Sequence, residues 1–395
     1  MSTTVPLTTV YANTRNGTAT YVQSDGTIAT QSALLTRTDH WISGQRGRLL
    51  EPSRTNSFVK SQEFDDATWG KTNVTVTANA AVAPDGTTTA DEIAGASATS
   101  NLKIIFQTFA TTTTGFWTAS VFLRRNTETT LSIRLNDTAG TNGSRFIFNL
   151  STGVAGSVTN DGTATDGAVS VFAVGDWWRV SITSNLVSAL TGVQLNIQHE
   201  TFGPSTSTNS YYAWGAQLEQ GAFPTTYIPT STVAVPRLAD RASVALSDIG
   251  FDAAGGSIFI EGRVYYNASG SGFPRVFQID DGTSNNRLVI FINESTGNFS
   301  FEVYSGGSGF AFETVSYTSG AYFKAGIRYE NNNCVLSLGG SDSGADTSVT
   351  LPSGLTTLRW QADEVGANAG AVVHITKFAT YAKEFSDATL NAETA

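Results

Sequence analysis

Residues able to do chemistry are sparse and scattered in this chain. The three histidines, His40, His199 and His374, lie far apart. His199 and His374 fall in strand-like runs, where a histidine held by internal hydrogen bonds is expected rather than a metal ligand or a base. Cys334 is the single cysteine, which excludes an intrachain disulfide, a cysteine zinc cluster and a C-x-x-C redox pair. Gly70-Lys71-Thr72 ends like a phosphate-binding loop, but Asp65 stands where its first glycine belongs and no helix is expected to follow. Neither a G-x-S-x-G elbow nor an H-E-x-x-H pair occurs. Sandwich glucanases cleave glycans with carboxylates at alternate strand positions. Here the one Glu-x-Asp is Glu63-Phe64-Asp65, with Thr68 in place of the completing Glu. A glycan-degrading alternative would have to use Glu261, Glu302 or Glu313, with two carboxylates about 5–9.5 Å apart. The residues predict no catalytic group, no cofactor and no metal centre.

Contact residues are easier to nominate than catalytic ones. Asp280 and Asp281, beside Gly282, are oxygen donors of the kind calcium takes, although Asp-Asp-Gly is more simply a hairpin turn. Among 7 Trp, 12 Tyr and 23 Phe, Trp117, Trp178 and Trp214 lie inside strand patterns and are expected in the core. Phe273 follows Gly270-Ser271-Gly272, and Phe310 follows Gly306-Gly307-Ser308-Gly309. Aromatics in glycine-rich loops of a rigid scaffold suit recognition. The candidate ligand contacts are therefore Phe273, Phe310, Asp280 and Asp281.

The elements that must position these residues are strands. The chain has 395 residues, 38 Gly, 56 Thr, 6 Lys and 1 Met, so it is poor in helix formers and rich in strand and turn residues. A net charge of −10 disfavours a nucleic-acid surface. No run of about 18 apolar residues and no leader-like pattern after Met1 occurs, which predicts a chain neither inserted in a membrane nor conventionally secreted. Short apolar runs separated by turn formers predict strands at 103–109, 116–124, 130–136, 145–149, 178–184, 194–200 and 211–219. In the last, Tyr212, Trp214, Ala216 and Leu218 share one parity and Gln217 and Glu219 the other, which predicts one buried and one wet face. Pro224, Pro229 and Pro236 break the rhythm and read as a linker. It resumes at 257–266, 275–280, 287–293, 298–304, 313–317, 322–329, 334–338 and 371–382. Ser386 is placed to cap one short terminal helix. Of the 56 Thr, 44 fall before residue 251, so composition marks two units. The expected organisation is all-β: an extended N-terminal segment over 1–54, a jelly-roll β-sandwich over 55–230, a linker over 231–250, and a second β-sandwich over 251–395.

Four stretches also carry a family resemblance. Leu49-Leu50-Glu51-Pro52-Ser53-Arg54-Thr55-Asn56, then Ser61–Lys71 with Trp69, Asp176-Trp177-Trp178-Arg179-Val180 and Gly215–Thr230 are similar in order and spacing to a module of bacteriophage tail and head fibre proteins. The similarity covers roughly 15–242, with Asn56-Ser57-Phe58-Val59 where the family usually carries Asn-Leu-Leu. It implies a carbohydrate-binding-module-like jelly roll. Residues 251–395 resemble a concanavalin A-like or laminin-G-like domain through Ser257–Tyr265 and Phe378–Leu390. Together these resemblances imply a structural, non-enzymatic virion protein, a fibre or spike subunit exposed on the particle. It would attach to other virion proteins through residues 1–54, form a homotrimer, and touch host surface glycans by its distal sandwich. A decoration protein without receptor activity is the third possibility.

Overall fold

The computed structural model describes residues 2–4, 12–13, 15, 17–365 and 370–395, with backbone alone at 2–4, 12–13 and 311–315. Antiparallel sheets dominate it, and the fold is all-β. The one α-helix among the described residues is Asp387–Thr394, where the Ser386 hydroxyl accepts from the Thr389 amide as expected of an N-cap. Two compact units emerge. A central unit comprises Ala19–Thr30 and Arg54–Arg237, and a terminal unit comprises Met1–Thr18, Gln31–Ser53 and Leu238–Ala395.

In the central unit, one sheet runs Thr165–Val174, Trp177–Leu186, Gly115–Arg125, Ser210–Gln220, Ala90–Gly95, Val74–Ala81. Facing it is a sheet ordered Val154–Ala155, Gly143–Asn149, Thr130–Asp137, Val193–His199, Ile104–Phe109, Gly70–Thr72. Period-2 alternation supplies the core between them: Leu131, Ile133 and Leu135 point in, with Ile105, Val121, Leu123, Ile182 and Ile197.

Ser210–Gln220 departs from strict alternation. Its partner register shifts between Ser120 and Phe122, where Gly215 sits at φ +64°. A β-bulge of this kind flips parity. Tyr211, Ala213, Ala216 and Leu218 therefore face the sandwich core, while Trp214 joins Phe122, Trp177 and Tyr227 on the sheet's outer surface. Trp117 is in the sandwich core as expected, whereas Trp178 is only partly buried and donates its Nε1–H to Leu150 O. The face predicted to be wet is dry: Gln217 and Glu219 are fully buried. Gln217 donates to Thr225 O and Thr226 O, and the Glu219 carboxylate accepts from the Thr225 amide and hydroxyl. The proline-punctuated stretch is thus a cover laid on this unit, not a linker. Its end, Val235–Arg237, pairs with Arg54–Asn56.

The terminal unit is a second sandwich. One sheet is ordered Ser341–Asp342, Val335–Leu338, Tyr322–Tyr329, Gly256–Tyr265, Val372–Tyr381, Gln45–Leu50, Arg37–Ile42. The other runs Ala12–Asn13, Ala242–Ala245, Thr357–Trp360, Arg275–Asp280, Arg287–Asn293, Asn298–Ser305, Ser308–Ser316. Two expected boundaries are corrected here. Residues 31–53 are strands of this sandwich rather than an extended arm, because Gln45–Leu50 pairs with Val372–Tyr381. Residues 238–250 likewise belong to it, since Ala242–Ala245 pairs with Thr357–Trp360. Buried charge fastens these pieces. Arg37 bonds both Glu51, at 2.6 Å, and Asp240, and Arg15 bonds Asp240 at 2.5 Å, all four side chains being at most 2% exposed. Burial would lower the Arg37 pKa, but the two carboxylates outweigh it and raise it.

Candidate functional site

The nominated contacts fall on the second sheet of the terminal unit. Along its central strands, Phe277 and Ile279, Leu288, Ile290 and Ile292, and Phe299, Phe301 and Val303 fill the core. The opposite parity faces outward and mixes polar with apolar groups: Arg359, Gln278 and Glu302 stand in register with Val289 across four strands. Asp280 and Ser300 flank that row. Although outward, Gln278, Asp280 and Ser300 are each 0% exposed. Gln278 Nε2 donates to Asp280 Oδ2 at 3.1 Å and to Glu364 Oε2 at 3.0 Å. Gln278 Oε1 and Ser300 Oγ have no partner among the described residues. Buried polar atoms are almost always hydrogen-bonded, so these two oxygens, closed off from solvent, are unmet buried groups of the sheet and not a ligand surface.

At the rim stands Phe273, 58% exposed, edge-on to Phe291 with ring centroids 5.7 Å apart. The loop presenting it is wound around Glu294, whose carboxylate accepts from the amides of Asn267 at 3.0 Å and Gly272 at 2.9 Å. Gly270 leaves room for that carboxylate, since a Cβ there would lie 2.2 Å from Glu294 Oε2. A charged acceptor holding two amides fixes the loop more firmly than neutral bonds would.

The other three candidates are placed differently from expectation. Phe310 is not in a loop. Gly306 and Gly307, both at positive φ, make a two-residue hairpin turn, so Phe310 lies in Ser308–Ser316 opposite Val303 and packs on the core. Asp280 is a buried strand residue, accepting from Arg359 Nε at 2.9 Å and from the Gly282 amide at 2.8 Å. Asp281 accepts from the hydroxyl and amide of Thr283 and from Asn286 Nδ2, and the Thr283 hydroxyl leads the causes that hold its pKa below the usual carboxylate value. With both carboxylates committed internally, neither is a free calcium ligand. Among the described residues, no group of three His, Cys, Asp or Glu is arranged to hold a metal.

The acids named for a hydrolytic alternative are also separated. Glu261 lies in the other sheet, where burial, which would raise its pKa, is outweighed by bonds from Lys377 at 2.9 Å and the Tyr322 hydroxyl at 2.8 Å. Glu302 lies across the sandwich from it, and the side chain of Glu313 is outside the described residues. His199 is a structural residue, fully buried with Nδ1 3.1 Å from Glu128 Oε2. Lys71 is committed to the carbonyls of Asp65, Asp66 and Trp69, which accounts for the false phosphate-loop ending. Sequence reasoning passed over Gln278, Ser300, Arg359 and Glu294. For the first, the Gln278/Asp280 alternation in Arg275–Asp280 was a visible signal. Glu294 left none, because its partners are backbone amides.

No protein-family model matches the chain, and comparison with curated proteins gives no match. Among solved structures, the CBM40 of Ruminococcus gnavus IT-sialidase bound to α2,3-sialyllactose is similar at 13% identity and a TM-score of 0.32, over 36% of this chain and 83% of that one. The binding domain of botulinum neurotoxin DC in complex with rat synaptotagmin II is similar at 16% identity and a TM-score of 0.32, over 39% of each chain. A leech intramolecular trans-sialidase complexed with 2,7-anhydro-Neu5Ac is similar at 13% identity and a TM-score of 0.31, over 36% of this chain and 23% of that one. Likenesses this distant bear on neither ligand nor activity.

Proposed function

We propose that the chain is a non-catalytic structural protein of a bacteriophage particle, a fibre or spike subunit that binds host surface glycan through the outward face of the terminal unit's second sheet. The observation that carries the binding reading is an exposed aromatic, Phe273, on a loop braced by the Glu294 carboxylate. An exposed ring on a fixed loop suits the apolar face of a sugar. The fibre reading rests on the resemblance of residues 15–242, and attachment to other virion proteins and trimeric assembly are part of the same proposal. The test is to display the full-length protein to a panel of bacterial surface polysaccharides and to image particles with and without it. Saturable glycan binding lost in Phe273→Ala, together with density for the chain on the particle, is the expected result. Release of reducing ends from any polysaccharide would instead make the protein an enzyme.

A further inference from the structure

We propose a second ligand site, on the outward face of the central unit's sheet containing Thr130–Asp137, that takes a carboxylate-bearing oligosaccharide. It uses different residues from the Phe273 face and stands independently of it. The strand register lines up Gly70, Phe106, Asn196, Arg134 and Arg145 in one row across five strands. At about 4.8 Å per strand step, Phe106 and Arg145 are separated by roughly 14 Å, the reach of two or three pyranose rings. Each end has a distinct chemistry. At one end the Phe106 ring lies over Gly70, where a Cβ would sit 2.2 Å from ring atoms, so the missing side chain lets an aromatic plate lie along the sheet. Half-buried and held on a rigid strand, it offers a face for stacking.

At the other end two guanidinium groups share one counter-charge. Arg134 Nη2 lies 3.1 Å and Arg145 Nε 2.9 Å from the same Asp161 oxygen. Arg145 is also held by the Phe202 ring, whose centroid is 4.9 Å from Cζ. Asp137, the next acid, is committed to the Thr141 amide and Asn142 Nδ2. Asp137 is thus turned to its own loop, and Asp161 is the ion-pair partner of both guanidinium groups, within a chain whose net charge is −10. The two Nη groups of Arg145 donate to no atom of the described residues, whereas Arg134 Nη2 also donates to Gly140 O at 3.0 Å. A planar fork with unspent donors, pre-oriented by a ring, matches the two oxygens of a carboxylate. Between the ends, Asn196 donates to Asn136 Oδ1 at 2.6 Å and keeps its own carbonyl oxygen for a sugar hydroxyl.

The test measures binding of the full-length protein to three immobilised probes: a sialic-acid-terminated oligosaccharide, a glucuronic-acid oligosaccharide and a neutral oligosaccharide of the same length. Binding of either acidic probe, weakened by added salt, with the neutral probe at least about ten-fold weaker, is expected. Which acidic probe binds identifies the source of the carboxylate. Arg145→Gln and Phe106→Ala should each reduce that binding about ten-fold. Should Arg145→Gln unfold, Asn196→Ala on the exposed face serves in its place. Equal binding of neutral and acidic probes, no binding of either acidic probe, or binding indifferent to these substitutions overturns the proposal.

Discussion

At the scale of single residues, two side chains give direct tests. Replacing Phe273 with alanine removes an exposed ring and leaves the core untouched, so glycan affinity should fall by about 1–2 kcal/mol, roughly ten-fold, with the thermal midpoint unchanged. Affinity measurements on the folded variant check this. His374 speaks to pH. It is fully buried with Nε2 3.2 Å from His40 O, and burial, the leading cause, pushes its pKa down to about 4. In the unfolded chain the imidazole takes up its proton near pH 6.5, so between that value and about 4 the unfolded state binds more protons. Stability is therefore complete above about pH 6.5 and drains away as pH falls toward 4, by an amount on the order of 3 kcal/mol. Denaturant unfolding at pH 7 and pH 4.5 should show this loss, and His374→Gln should flatten it. The same ring accounts for Gly47, where a Cβ would lie 2.4 Å from His374 Nε2.

At the scale of elements, the strands were legible and their reach was not. Arg275–Asp280, Arg287–Asn293 and Tyr322–Tyr329 begin and end where alternation places them. The misread elements are those whose partners are remote in sequence. Arg37 and Arg48 look solvent-bound in isolation, yet both are buried, and the Asp240 that receives Arg37 is 203 positions away. No local period carries that information. Parity in Ser210–Gln220 failed for a different reason, a bulge at one glycine, and Gly215→Ala should cost about 1–2 kcal/mol by forcing a side chain to positive φ against Phe122. Asp240→Ala is expected to be far harsher, about 3–5 kcal/mol, because it removes the one carboxylate that two buried guanidinium groups share. Urea titrations of both variants, followed by tryptophan fluorescence, test the ranking. Of the two candidate aromatics, Phe273 is exposed and Phe310 is packed on the core, since loop composition cannot tell a hairpin turn at Gly306-Gly307 from an open loop.

For the whole molecule, the division by composition near residue 250 captured two sandwiches but missed their interleaving. The backbone passes between the units four times, after residues 18, 30, 53 and 237. A fragment beginning at residue 251 lacks Ala242–Ala245 from one sheet and Gln45–Leu50 and Arg37–Ile42 from the other. It should be insoluble or molten on its own, whereas residues 54–237 retain both sheets of the central unit and should give dispersed amide spectra by NMR. A stable, cooperatively folded 251–395 fragment would contradict this.

That interleaving also sets an order of events during synthesis. The central unit has every strand it needs once residue 237 has left the ribosome, while Gln45–Leu50 must wait for Val372–Tyr381, more than 300 residues later, before it can pair. During that interval its edge and the apolar side chains of Leu49 and Leu50 have no partner sheet, the condition under which nascent chains misassociate. Drawing the terminal unit from segments on both sides of the central one thus makes synthesis of Val372–Tyr381 a checkpoint. A product that stops short of Val372–Tyr381 leaves Gln45–Leu50 paired with Arg37–Ile42 alone, and the second sandwich stays open.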